Sequence, residues 1–129
     1  MSRVVGIGGV FIQAKDPAAL RAWYRDHLGI NVEEWGGTAF TWSHPDGPGE
    51  HGATIWSVFE QGSDYFAPSQ ARFMVNYIVK DLNAVLAALR SEGCDVEAKT
   101  EQSEHGKFGW VMDPEGNRVE LWEPSSAGE

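Results

Sequence analysis

FIQAKDPAALRAWYRDHLG, Phe11 to Gly29, decides the fold, because NYIVKDLNAVLAALRSEG, Asn76 to Gly93, repeats its plan. Each stretch begins as a strand, passes through an aspartate and continues as a helix. Asp16 is placed to cap a helix N-terminus, and Pro17 suits the first helical position, where its missing N–H costs nothing. Leu20, Trp23, Tyr24 and Leu28 recur at i, i+3, i+4 and i+8, which is one helical face. Gly29 supplies the left-handed residue that ends many helices. In the second copy Asp81 is the cap, Leu82, Val85, Leu86 and Leu89 form the apolar face, and Gly93 closes. The two aspartates lie 65 residues apart and the two glycines 64.

The segments downstream match as well. FTWSHPDG (40–47) resembles FGWVMDPEG (108–116): an aromatic strand, then a turn of Pro, acid and Gly. Each turn leads into another strand, ATIWSVF (53–59) in the first copy and RVELW (118–122) in the second. Each unit therefore reads as strand, helix and about three strands, βαβββ. Module one covers about 5–60 and module two about 70–124 of a single α+β domain spanning 1–129. A period near 65 marks a duplicated module, since a solenoid needs shorter and more numerous units. One helix covers only one face of a sheet. The other face must meet the second module, a partner chain or a ligand, so two curved sheets are expected to enclose a cleft.

Strand residues alternate between faces. Val10, Ile12 and Ala14 suit the underside of a helix, leaving Gly9, Phe11 and Gln13 opposite. Val119 and Leu121 make an aliphatic face, leaving Arg118, Glu120 and Trp122 opposite. Phe108, Trp110 and Met112 alternate with Gly109 and Val111. The face away from the helices is thus rich in aromatics, Met and isolated polar groups, as in a small-molecule pocket. The plainer account is that the aromatics fill a core. Glu120 is the sharpest case, because an inward carboxylate must be paired, protonated or bound to a cation. A salt bridge with Arg118 or Arg72 is its structural reading, and a ligand or metal its functional one.

The formal charge of −9 repels phosphate backbones, so nucleic acid is not an expected partner and cationic ligands are favoured. A single cysteine, Cys94, forbids an intramolecular disulfide and fits a cytoplasmic location; after Gly93 it reads as a small structural residue. MSRVVGIGGVFIQAKD (1–16) has no secretory cleavage pattern, and no apolar run approaches the roughly 20 residues of a membrane span. The tail SSAGE (125–129) is expected to be disordered.

The duplicated plan, KDPAALRAWYRDHLGI (15–30) and DPEGNRVELWEP (113–124) together resemble the vicinal oxygen chelate superfamily, the glyoxalase, bleomycin-resistance and extradiol-dioxygenase group, over about residues 5–124. The resemblance implies paired βαβββ modules in an open, incomplete barrel around a cavity. It also implies a divalent metal held by up to four His, Gln or Glu side chains from the first and last strand of each module. That metal acts as a Lewis acid on a substrate with vicinal oxygens. Glu120 matches the ligand of the final strand. The first-strand position, seven residues before the capping aspartate, falls on Gly9 and, in module two, on Met74. The last strand of module one places Trp56 there, or Ser57 if the register slips by one. Glycine has no donor and a thioether is a poor ligand for such metals. One carboxylate does not hold a catalytic metal, which takes about three protein ligands. No metal or other cofactor is therefore expected, a divalent metal being the alternative. His44 and His51, around HPDGPGEH (44–51), and the pair Glu104 and His105 read as exposed loop residues, with rebuilding of a metal site as their alternative. His27, near the end of the first helix, suits the helix dipole.

Two functions follow. The first is a small-molecule-binding protein similar to the bleomycin-resistance branch. Its ligand is aromatic, neutral or cationic, and its lining is Phe11, Gln13, Trp56, Met74, Asn76, Phe108, Trp110, Met112 and Glu120, with stacking on Trp56, Trp110 and Trp42. The alternative is an enzyme, a lyase or isomerase or a dioxygenase-like relative, with Glu120 as general base on a carbon beside a carbonyl. The resemblance also implies a homodimer.

Overall fold

The structure, a computed structural model, describes residues 3–43 and 51–125. Both capping aspartates act where the sequence places them. Asp16 Oδ1 accepts the Ala19 N–H at 3.1 Å, and Asp81 Oδ1 accepts the Ala84 N–H at 3.1 Å. Gly29 (φ 69°) and Gly93 (φ 84°) take the left-handed conformation after each helix, which a side chain would oppose. The elements are β1 (Val4–Ala14), α1 (Pro17–Leu28), β2 (Gly37–Ser43), β3 (His51–Glu60), β4 (Phe73–Val79), α2 (Leu82–Ser91), β5 (Asp95–Ser103), β6 (Gly106–Met112) and β7 (Arg118–Pro124). A short 3-10 turn, Asp64–Phe66, lies between β3 and β4.

The strands form one mixed seven-stranded sheet in the order β2-β3-β1-β4-β7-β6-β5, an α+β arrangement that is not closed. β1–β3 and β4–β7 pair in parallel and the remaining neighbours antiparallel. The halves join at β1–β4. There Val10 faces Val75, flanked by Gly9 opposite Asn76 and Phe11 opposite Met74. This pairing maps onto itself under the 65-residue offset, so a pseudo-twofold axis passes between the two valines.

The halves are not identical. Three strands follow α2, but among the described residues only two follow α1, against the expected three. Residues 30–36 bend back on themselves instead of pairing. The Val32 N–H donates to Ile30 O, the Glu33 N–H to Gly37 O and the Gly36 N–H to Glu33 O. Ile30 and Val32 then pack against the first half's core of Ala14, Trp56 and Val58.

On the helix-covered face, α2 seals Leu82 and Leu86 against Val79 and Leu121, with Val119 and Val111 beside them. α1 covers Ala14, Trp56 and Val58 with Leu20 and Tyr24. The expected α1 stripe is only half used: Trp23 is 50% and Leu28 61% exposed. At 3.6 residues per turn these two lie about 140° apart around the helix, with Leu20 and Tyr24 between them, so they form the margins of the contact.

Burial separates these positions energetically. Leu86→Ala is expected to cost about 2–5 kcal/mol, whereas Leu28→Ala should change stability by about 0.5 kcal/mol or less. Chemical denaturation of both variants checks the assignment, and equal losses would refute it.

Candidate functional site

Because Val119 and Leu121 point to α2, the alternation of β7 turns Arg118, Glu120 and Trp122 onto the concave face. Trp110 of β6 and Asn76 of β4 lie directly opposite Glu120 on either side. Glu120 is 1% exposed. Its Oε1 accepts the Asn76 Nδ2–H at 2.6 Å. Its Oε2 accepts the Trp110 Nε1–H at 2.9 Å and the Tyr65 hydroxyl. All three donors are neutral, so the charge is compensated by hydrogen bonds and not by an ion pair.

The expected partner, Arg118, is engaged elsewhere. Its guanidinium grips Glu97 of β5 through Nε (2.7 Å) and Nη2 (2.9 Å), and Nη1 donates to the Tyr65 carbonyl. It also lies over the Trp110 ring, 4.5 Å from the centroid. Arg118 therefore braces two of the groups that donate to Glu120, without bonding to the carboxylate itself.

Tyr65 was not foreseen. It lies in the connection from β3 to β4, where Ser63 accepts the Tyr65 N–H and starts the 3-10 turn. The two adjacent aromatics of GSDYFAP (62–68), in a segment otherwise made of turn residues, are the signal that could have found it. Phe66 is buried against Phe11 and Met74, and Tyr65 stacks on Phe59 with centroids 5.6 Å apart. This turn occupies the concave side of the central strands, where the sequence suggested an open cleft. Burial, then the Glu120 charge and hydrogen bond, push the Tyr65 phenol far above the ordinary tyrosine range.

The other expected lining residues divide. Phe11 and Met74 belong to the cluster with Phe66. Phe108 stacks on Trp122, centroids 5.9 Å apart and planes within 2°, and both rings are half-buried. Met112 lies opposite Arg118. Gln13 accepts the Gly62 N–H at 3.3 Å at the far end of β1. Trp56 is a correction: it packs edge-on against Tyr24 of α1 at 5.0 Å, on the helix face and away from Glu120. Its neighbour Ser57 takes the concave position. Ser57 pairs with Phe11 as Glu120 pairs with Asn76, which makes the two residues counterparts across the pseudo-axis. His44 and residues 126–129 lie outside the described residues, as do the side chains of Trp42 and His51. Glu104 and His105 are exposed, 3.8 Å apart.

The superfamily's metal positions thus hold Gly9, Ser57, Met74 and Glu120. They do not fit a divalent ion. The single carboxylate already receives three donors, and its companions are a hydroxyl, a thioether and a hydrogen. No three His, Cys, Asp or Glu side chains cluster among the described residues.

One acceptor is left over. Asn76 Oδ1 is buried without a hydrogen-bond partner among the described residues. It packs against Gly8, where a Cβ would lie 2.2 Å from it and 2.8 Å from Trp122 Cε3. Gly8→Ala should therefore displace Asn76 and destabilise the fold by about 1–3 kcal/mol, measured by denaturant unfolding. Tyr65→Phe should cost about 1.5–3 kcal/mol at pH 7, because Glu120 loses a donor. The sign of the pH effect follows from the raised phenol. The unfolded tyrosine ionises near pH 10 while the folded one stays neutral, so this stabilisation is complete below about pH 10 and fades above it. Unfolding curves from pH 7 to 11 should fall less steeply above pH 10 for Tyr65→Phe than for the parent. Parallel curves would remove Tyr65 as the source.

Comparison with known proteins places this geometry. A family model described as a glyoxalase-like domain matches residues 9–122. No curated protein sequence matches the chain. Among solved structures, methylmalonyl-CoA epimerase from Mycobacterium tuberculosis superposes with a TM-score of 0.66 at 19% identity, over 98% of this chain and 93% of that one. A methylmalonyl-CoA epimerase in complex with methylmalonyl-CoA and NH4+ gives 0.67 at 18% identity, over 97% of each chain. A glyoxalase/bleomycin resistance protein/dioxygenase superfamily member from Vibrio splendidus 12B01 gives 0.58 at 13% identity, over 91% and 97%. At these identities the structural likeness speaks for the fold. With the sequence match over most of its length, the chain belongs to the glyoxalase-like domain family, within the vicinal oxygen chelate superfamily.

Proposed function

We propose that the chain is a small-molecule-binding protein that takes an aromatic ligand, neutral or cationic, on its concave sheet face without a divalent metal. The observation that carries this reading is the burial of Glu120 among three neutral donors, Tyr65, Asn76 and Trp110. A carboxylate tied to three donors is a fixed negative centre that orders its surroundings. Three of its roughly four acceptor positions are filled, so only one, on Oε1, is left to take a proton from a substrate. Beside it, the half-buried Phe108 and Trp122 rings offer a flat surface for stacking. The chain's charge of −9 favours a cationic ligand over an anionic one on this face.

A second reading keeps an enzyme, an isomerase or lyase with Glu120 as base. The burial of Glu120 beside the Tyr65 hydroxyl favours it, as does the fold shared with epimerases, one of them in complex with methylmalonyl-CoA. We also propose a cytoplasmic homodimer. The exposed apolar side chains Val4, Ile7 and Phe73 support the dimer, and the free exposed Cys94 the compartment. A solution mass of one chain would remove the dimer.

Titration with ethidium and proflavine, followed by tryptophan fluorescence, tests the binder. Saturable quenching is expected, weakened about tenfold in Trp122→Leu, the loss of a stacking contact near 1.4 kcal/mol. Absence of a response across cationic and neutral polycyclic probes would sink it. Solvent deuterium uptake beside the carbonyl of an acyl thioester, abolished in Glu120→Gln, would put the isomerase in its place.

A further inference from the structure

A hollow of about 420 Å³ lies where β1 hands over to α1, beside the residue that enters β4. Ala14, Ala19, Leu20 and Trp23 give it an apolar lining. Lys15 and Arg72 also line it. It is separate from the Glu120 network, which is built from β4, β6, β7 and the turn carrying Tyr65.

Two cations and one carboxylate line the hollow. Among the described residues Arg3, Arg25, Lys99 and Arg118 are paired with carboxylates, and Arg21 and Arg90 donate to backbone carbonyls. Lys15, Arg72, Lys80 and Lys107 have no such partner among the described residues, and Lys15 and Arg72 are the two that line this hollow. The one carboxylate at the hollow, Asp16, is held on the helix N-terminus by the Ala19 N–H. Trp23 is half exposed, and contacts to Tyr24 (5.2 Å, 79°) and His27 (5.2 Å, 41°) hold its ring. Gln13 is anchored through its carbonyl oxygen to the Gly62 N–H, which leaves its NH2 group as a donor.

We propose that this hollow is a second binding site, for a planar aromatic carboxylate. The aromatic body lies on Trp23, Ala19 and Leu20, and the carboxylate is taken by the Arg72 fork with Lys15 as a second charge. The hollow is open to solvent, so a two-ring acid would lie along it with one face exposed. The site is independent of the concave face in both position and ligand charge, so either assignment can fail without the other.

Calorimetric titration of the full chain with 2-naphthoate, 2-naphthalenemethanol and inorganic phosphate tests it. Naphthoate is expected to bind at least tenfold more tightly than the neutral alcohol and than phosphate. Arg72→Glu and Arg72→Ala should each weaken it about tenfold or more, and Trp23→Leu should do the same. The charge reversal lies at an exposed position, and unchanged thermal unfolding of the alanine variant shows that the fold is kept. Equal binding of acid and alcohol, phosphate binding as tight as naphthoate, or unaltered affinity in both Arg72 variants overturns the proposal. A fall in solution mass in Arg72→Glu, which would make the hollow a contact with a second copy, overturns it as well.

Discussion

A carboxylate withdrawn from water must be met by donors, and the way Glu120 is met organises half of this molecule. Its donors come from β4, from β6 and from the connection after β3, so a single side chain on β7 ties three other segments together. Arg118, two residues earlier on the same face, extends the arrangement to β5 through Glu97 and covers Trp110. Removing the acid would leave an indole N–H, an amide and a phenol without partners in a dry interior, each costing about 1–3 kcal/mol. The network explains why a charge is retained in a strand otherwise suited to burial.

The same network shows how far duplication has been overwritten. Across the pseudo-axis Gly9 corresponds to Met74, Phe11 to Asn76 and Ser57 to Glu120. One half presents a ring and a hydroxyl where the other presents an amide and a carboxylate. A symmetric set of four donors around the axis would hold an ion. This asymmetric set instead places polar groups on one side, where they satisfy one another, and aromatics on the other, where Phe59, Tyr65 and Phe66 close over Phe11.

Much of this was legible in the chain because it is local. Caps, closing glycines and the apolar face of α2 depend on spacings of a few residues, and the repeat gave the architecture. The fate of Glu120 was half legible: alternation placed it inward, but its donors lie 10, 44 and 55 residues away. Trp56 was misassigned because alternation along a strand does not say which of two adjacent residues faces inward. The pairings match Ser57 to Glu120 at an offset of 63 residues, whereas Trp56 requires 64, the spacing of the closing glycines, and a one-residue slip turns a side chain to the opposite face. Tyr65 escaped because a 3-10 turn has no periodicity to read. Among the described residues the first half has no third strand after its helix, because local hydrogen bonds of residues 30–36 outcompete a ladder that propensity alone would allow.

The open sheet leaves two borders, and they are unequal. β5 carries Asp95, Glu97, Lys99 and Glu101 along its length, so an approaching strand meets fixed charge. β2 reads GTAFTWS and has none. When the fold loosens, strand addition and fibril growth should begin along β2, and a lysine introduced there is the natural gatekeeper against them.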